Sequence, residues 1–243
     1  MNVREMGINR YTVKMVNSFT PWFLQNLIWL PTQFFLRLFG HFRVYGKENL
    51  RGVKGAVIFA SNHTSELDPI LIPAALPWFS RFSPMFYVSR EKNFYNTRRI
   101  LKRLFYGGFF FELWGAYQTE AGLHNYDISL RNHLRILKNG HSISIFPEGD
   151  KSFDGKLHEF KGGAAFLSHK TGAPIVPVAV SGTFQTTLGD FFFFKKRITL
   201  VFGKPIYPDE LFSGKTEIVP HDYKLAMDSV VMPRVAEMLK SVS

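Results

Sequence analysis

Ala56-Val57-Ile58-Phe59-Ala60-Ser61, continuing into Asn62-His63-Thr64-Ser65-Glu66-Leu67-Asp68-Pro69, is the stretch on which the fold of this chain turns. The first six residues form a short apolar run after Gly55. With no polar alternation, a strand there has to be covered on both faces, as strands of parallel sheets are. The polar residues then fall at its C-terminal end, where open α/β sheets place their sites, and residues 67–76 read as the start of a helix. A histidine at a strand end with a carboxylate five residues later suits proton transfer. One ring nitrogen turned toward Asp68 leaves the other for the cleft. The carboxylate then fixes the tautomer and stabilises the imidazolium that forms when His63 takes a proton. A plainer reading makes Asp68 a helix cap before Pro69 and leaves His63 without a role. Only geometry separates the two.

Outward from this stretch the chain alternates. Residues 85–89, 142–146, 175–180 and 198–202 read as strands, the second stopped by Pro147. Residues 94–105 read as a basic helix with Arg98, Arg99, Lys102 and Arg103, and residues 123–137 as a helix with Leu130, Leu134 and Leu137 on one stripe and Gly140 just past its end. A helix over 163–170 and a helical tail over 223–239, interrupted by Pro233, complete the pattern. Such alternation predicts an α/β fold over residues 45–243, with a mixed, largely parallel sheet flanked by helices.

Residues 1–44 read as a separate, helical segment. FTPWFLQNLIWLPTQFFLRLF (19–39) is strongly apolar, but Gln25, Asn26, Pro31, Gln33 and Arg37 interrupt it. A spanning helix would need about 20 predominantly apolar residues. Trp22, Phe23, Leu27, Leu30 and Phe34 follow helical spacing, which predicts an amphipathic segment lying in a membrane interface. The alternative packs that same stripe against the domain.

The net charge of +11 points to a polyanion, either nucleic acid or an anionic membrane surface. The 26 phenylalanines favour the membrane, since aromatic runs sit beside basic clusters, as in Phe191 to Phe194 followed by Lys195, Lys196 and Arg197. No nucleic-acid-binding motif is present. The absence of cysteine excludes disulfides and thiolate nucleophiles and fits a reducing compartment. With no cleavable signal pattern at the start, the expected place is the cytoplasmic face of a membrane.

Common catalytic signatures are missing: no Gly-x-Ser-x-Gly, no His-Glu-x-x-His, no Walker loop and no Gly-x-Gly-x-x-Gly. A second constellation does stand out. Ile145-Phe146-Pro147-Glu148-Gly149-Asp150-Lys151-Ser152 ends another apolar strand, and Phe160-Lys161-Gly162-Gly163 opens a helix. Glycines beside lysines at such ends offer free N–H groups and positive charge to an anion. The same residues also make an ordinary turn in which Glu148 pairs with Lys151.

Taken together and in order, these blocks resemble the glycerolipid acyltransferase superfamily, and 1-acylglycerol-3-phosphate acyltransferases in particular. NHTSELDP is similar to its first block, built on His-x4-Asp; IFPEGDKS to its third, usually ending Thr-Arg-Ser; and APIVPVAVSGT (173–183) to its fourth. FKGGAAFLS and the later Gly203-Lys204-Pro205-Ile206 also fit the layout, so the resemblance covers residues 45–207.

It implies transfer of a fatty acyl group from acyl-CoA or acyl-ACP to a hydroxyl of a lysophospholipid, with 1-acylglycerol-3-phosphate as the leading acceptor. Neither a covalent enzyme intermediate nor a metal or bound cofactor is implied. His63 becomes the general base and Asp68 its orienting partner. Glu148 and Gly149 line the acceptor site, with Lys151 and Lys161 available to a phosphate, and N–H groups near Gly149 support the oxyanion. The implied partners are the lipid acceptor, the acyl thioester or an acyl carrier protein, and the membrane.

Two positions depart from the family pattern. Its second block commonly ends in a phosphate-binding arginine, and the nearest match here, Gly115-Ala116-Tyr117-Gln118-Thr119-Glu120-Ala121, has Ala121 instead. In the third block Asp150 and Lys151 replace threonine and arginine, exchanging a bidentate fork for a point charge. Both bear on the acceptor rather than on the reaction. A different lyso-lipid or glycolipid acceptor, and a non-catalytic lipid-binding protein, therefore stay open as alternatives.

Overall fold

A computed structural model describes residues 16–89, 112–119, 125–186, 189–190 and 197–242. The expected basic helix at 94–105, Ala121, the first residues of the 123–137 helix and the Phe191 to Lys196 run lie outside them.

In chain order, leaving aside single turns and the π turn, the elements are α1 (Phe19–Phe39), β1 (Arg43–Tyr45), β2 (Ile58–Ser61), α2 (Asp68–Ala75), β3 (Phe86–Ser89), β4 (Ala116–Gln118), α3 (Arg131–Lys138), β5 (Ile143–Ile145), α4 (Gly163–Thr171), β6 (Ile175–Ser181), β7 (Thr199–Phe202), α5 (Pro220–Ala226) and α6 (Met232–Val242). The strands form one seven-stranded sheet in the order β1-β7-β6-β2-β5-β3-β4. The β6–β7 pair is antiparallel and the other neighbours are parallel. This is the mixed, largely parallel sheet that the alternating pattern predicts.

The central strand explains why AVIFAS carries no polar residue before its end. β2 is buried at all four positions, between β5 and β6. Ile58 and Ala60 face one core with Ile136 of α3, Phe166 of α4 and Val235 of α6. Val57 and Phe59 face the other with Leu71 and Ile72 of α2 and Leu36 of α1.

Three local expectations change. β1 runs across the 44/45 boundary, so the sheet already begins within the segment expected to stand apart. The long helix ending near Gly140 is divided: Asn125 caps a single turn by accepting hydrogen bonds from the Asp127 and Ile128 N–H groups, and α3 starts anew after Leu130. Pro233 interrupts the tail gently. The residues just before it, Met227–Val231, take a widened π turn, which suits a position that cannot donate the next helical hydrogen bond.

Helix α1 packs with its polar stripe inward. Gln25, Asn26 and Gln33 are buried, while Phe19, Leu27, Leu30 and Phe34 are half or more exposed. Each buried amide is used. The Gln25 side chain donates to the Met85 and Trp114 carbonyls and accepts from the Met85 N–H. Asn26 donates to Ser83 Oγ and accepts from the Phe79 N–H, and Gln33 donates to the Ala74 carbonyl. The apolar stripe expected either at a membrane or in the core is therefore the outward one. Trp78 and Phe79, on the turn after α2, extend it; Trp78 stacks on Trp29 with ring centres 6.0 Å apart. Among the described residues no helix is long and apolar enough to cross a membrane.

Candidate active site

β2, β5 and β6 run parallel, so the loops after them, at 62–67, 146–152 and 182–186, leave the same edge of the sheet. That edge collects the first, third and fourth sequence blocks. Asn62 fastens two of the loops together: its amide donates to the Val180 carbonyl at 2.9 Å and accepts from the Val180 N–H at 2.8 Å.

His63 and Asp68 form a pair, His63 Nδ1 lying 2.9 Å from Asp68 Oδ2. Asp68 is fully buried, and the His63 side chain keeps 16% of its exposure. The carboxylate collects donors at both oxygens. Oδ2 also accepts from the N–H groups of Thr64 at 2.6 Å and Ser65 at 2.8 Å, and Oδ1 accepts from Thr183 Oγ1 at 2.9 Å. A group so used is an acceptor toward His63 as well, which puts the imidazole proton on Nδ1 and leaves a lone pair on Nε2. His63 Nε2 has no hydrogen-bond partner among the described residues. Asp68 does stand at the opening of α2 with Pro69 behind it, as the plainer reading has it, but the N–H groups its carboxylate takes are those of Thr64 and Ser65, ahead of the helix. These bonds tie down the loop that carries His63.

The imidazole is held from the side too. Phe146 stacks on it with ring centres 4.1 Å apart and planes 20° from parallel, and the His63 carbonyl accepts from the Ser152 N–H at 2.8 Å.

Glu148 is buried and reaches inward. Its Oε1 accepts from the His63 N–H at 2.8 Å and its Oε2 from the His158 N–H at 3.0 Å. Burial pushes its carboxyl above the ordinary range, against the opposing pull of those N–H groups and of the two histidines. Its partner is therefore the backbone of the histidine loop, in place of the Lys151 ammonium that a simple turn would give it. Lys151 instead meets Glu66 in an exposed ion pair.

The expectation that the Gly149 N–H supports an oxyanion meets a different arrangement, since that N–H donates to the Phe146 carbonyl at 2.9 Å and closes the turn. Gly149 has φ +79°, and a Cβ there would run into the Lys161 ammonium. Only glycine serves such a position well. Lys161 is exposed over the turn, its own N–H donating to the Pro147 carbonyl at 2.8 Å. The second block, in β4 and Thr119, runs parallel to β3 toward this same edge and leaves the described residues before Ala121.

The sequence pattern of the Acyltransferase family matches residues 41–181. A 1-acyl-sn-glycerol-3-phosphate acyltransferase of Saccharomyces cerevisiae is 30% identical over 178 residues, 71% of this chain and 54% of that protein. One of Bacillus subtilis is 27% identical over 173 residues, 71% of this chain and 77% of that protein. A chloroplastic 1-acyl-sn-glycerol-3-phosphate acyltransferase of Brassica napus is 36% identical over 80 residues, of which the chain spans 23% of the relative's length. In three dimensions the chain resembles the crystal structure of the 1-acyl-sn-glycerophosphate acyltransferase PlsC from Thermotoga maritima, with a TM-score of 0.59 and 23% identity over 89% of this chain and 79% of that one. At that identity the likeness concerns the fold.

Proposed function

This chain belongs to the Acyltransferase family, and on that premise we propose that it transfers a fatty acyl group from acyl-CoA or acyl-ACP to the hydroxyl of a lysophospholipid. The leading acceptor is 1-acylglycerol-3-phosphate, giving phosphatidic acid. One observation carries the reading: a buried, four-donor Asp68 holds His63 with Nε2 open, and no side-chain hydroxyl among the described residues bonds to that nitrogen.

In the proposed step, His63 Nε2 takes the proton of the acceptor hydroxyl as its oxygen attacks the thioester carbonyl. The tetrahedral intermediate then collapses, the C–S bond breaks, and the thiolate leaves with the proton carried by Nε2. An ester and a free thiol result, and the histidine returns neutral. Asp68 steadies the imidazolium between the two proton transfers. The step needs neither a metal nor a bound cofactor. Lys161, exposed over the turn, and Lys151, once it lets go of Glu66, are the cations offered to the acceptor's phosphate. Glu148 serves that site by shaping the loop.

The outward stripe of α1 with Trp78 and Phe79 supports a seat on the membrane surface, the N-terminal segment serving as attachment and the sheet domain as the catalytic body. A net charge of +11 suits anionic headgroups, and the cytoplasmic leaflet is the side we assign. The test is to incubate the full chain with labelled acyl-CoA and a panel of lyso-lipids. Labelled phosphatidic acid from 1-acylglycerol-3-phosphate is expected. If no lyso-lipid is acylated with either acyl-CoA or acyl-ACP, the reading is wrong.

A further inference from the structure

We propose that Thr183 is a positioning residue for proton transfer, its hydroxyl holding Asp68, and through Asp68 the His63 ring, in the orientation that presents Nε2 to the acceptor; this rests on the reading of His63 as the base. The starting point is how unequally the two carboxylate oxygens are served. Oδ2 has three donors, His63 Nδ1 and the N–H groups of Thr64 and Ser65. Oδ1 has one among the described residues, Thr183 Oγ1 at 2.9 Å. Asp68 is 0% exposed, so bulk solvent does not reach it to take the place of that hydroxyl. Without that hydroxyl a buried carboxylate oxygen loses its donor, and the carboxylate loses the contact opposing rotation about its own axis.

Thr183 is itself 1% exposed. It is thus shut away from substrate and acts through Asp68. Its placement is built. It lies two residues beyond β6, after Gly182 at φ +87°, where a Cβ would collide with the Arg197 carbonyl. The Asn62 amide clamps the adjoining Val180 to the histidine loop.

The proton order in this chain of groups follows from counting. A threonine hydroxyl has a single proton, and that of Thr183 is directed at Asp68. The contact between Thr64 Oγ1 and Thr183 Oγ1, at 2.8 Å, is then donated by Thr64. The chain Thr64 to Thr183 to Asp68 points every dipole at the carboxylate, and hydrogen bonds aligned in this way strengthen one another.

Steady-state kinetics of the full chain with acyl-CoA and 1-acylglycerol-3-phosphate test this, with His63→Ala as control. Thr183→Val keeps the shape and removes the hydroxyl; Thr183→Ser keeps the hydroxyl. The expected result is a kcat about tenfold to hundredfold lower in Thr183→Val, the ratio that a hydrogen bond to a charged group corresponds to. KM for both substrates stays within about twofold, and Thr183→Ser recovers most of the rate. In an Asp68→Asn background, Thr183→Val should cost little further, because the two act as a unit.

Unchanged kcat in Thr183→Val, a loss confined to KM, no rescue by serine, or full additivity with Asp68→Asn overturns the proposal. Should Thr183→Val fail to fold, Thr64→Val carries the test, with a kcat loss of about threefold expected that vanishes in the Asp68→Asn background; no loss, or an additive one, overturns it. A control His63→Ala as active as the natural chain marks the failure of the base reading instead, and Thr183 then has nothing to position.

Discussion

The strand-end site and helix α1 bury polar side chains for opposite reasons. At the site, Asp68, Glu148, Asn62 and Thr183 spend their hydrogen bonds on one another and on the loop backbone, and the result is a single open nitrogen on His63. Along α1, Gln25, Asn26 and Gln33 fasten the helix to the α2 and β3 region, and the result is an open apolar face. Both regions satisfy their buried groups, as native interiors do. What differs is the chemistry turned outward: an imidazole nitrogen in one place, an apolar surface in the other. The same device therefore serves two ends, and substitutions should separate them.

The largest expected effect is at the base. His63→Ala should lower turnover by about 10²- to 10⁴-fold, the usual worth of a general base, while thermal stability and vesicle binding stay near those of the natural chain. Asp68→Asn should lose less if it only orients. More than half the natural activity in His63→Ala removes the distinction between the two regions.

The α1 side calls for a paired comparison. Gln25→Leu leaves the Met85 N–H and two carbonyls without their partner, and should cost about 1–3 kcal/mol of stability in chemical denaturation. Leu27→Ser, at a position 60% exposed, should change stability by less than about 0.5 kcal/mol yet weaken binding to anionic vesicles by about fivefold or more. If Leu27→Ser destabilises the fold as much as Gln25→Leu, the outward stripe is covered by protein.

A smaller effect distinguishes the two regions by pH, because the site contains a titrating buried group and the α1 seam contains amides. Burial raises the Glu148 carboxyl above its ordinary value. A raised folded-state value means that the stability contribution is fully present below the unfolded value and is lost as pH rises through the folded one. Lowering the pH from 7 through the carboxylate range should therefore raise the stability of the natural chain relative to Glu148→Gln, whereas the gap between the natural chain and Gln25→Leu should stay flat. Denaturation midpoints of the three proteins at several pH values check this. A Glu148→Gln gap that does not move with pH contradicts the assigned cause.

Much of this was legible in the sequence because it is local. An apolar run with no alternation places β2 at the sheet centre, and His63 and Asp68 are near enough in sequence for their spacing to suggest a pair. Pro147 marks the end of β5 for the same reason. What was not legible depends on distance or on sidedness. Thr183 and Asn62 find partners 115 and 118 residues away, and Lys151 finds Glu66 across 85; no spacing rule reaches that far.

Periodicity finds the stripe on α1 but is blind to which side faces the protein. Gln25, Asn26 and Gln33, which share one helical face, were the available signal, since three amides on a common stripe can be hydrogen-bonded inward as readily as solvated outward. Glu148 shows the same limit. Its residue type suggested a ligand contact or an ion pair, and only the fold brings the two backbone N–H groups to it.

Direct transfer, with His63 as base and no acyl-enzyme, is tested most sharply by following the label through a single turnover. The full chain is mixed with labelled acyl-CoA, or acyl-ACP where that is the active donor, first without and then with 1-acylglycerol-3-phosphate, and quenched samples are examined for label on intact protein and in lipid. The expected result is unlabelled protein throughout and label appearing in phosphatidic acid only when the acceptor is present. Protein that becomes covalently acylated and then passes its label to the added acceptor would contradict direct transfer.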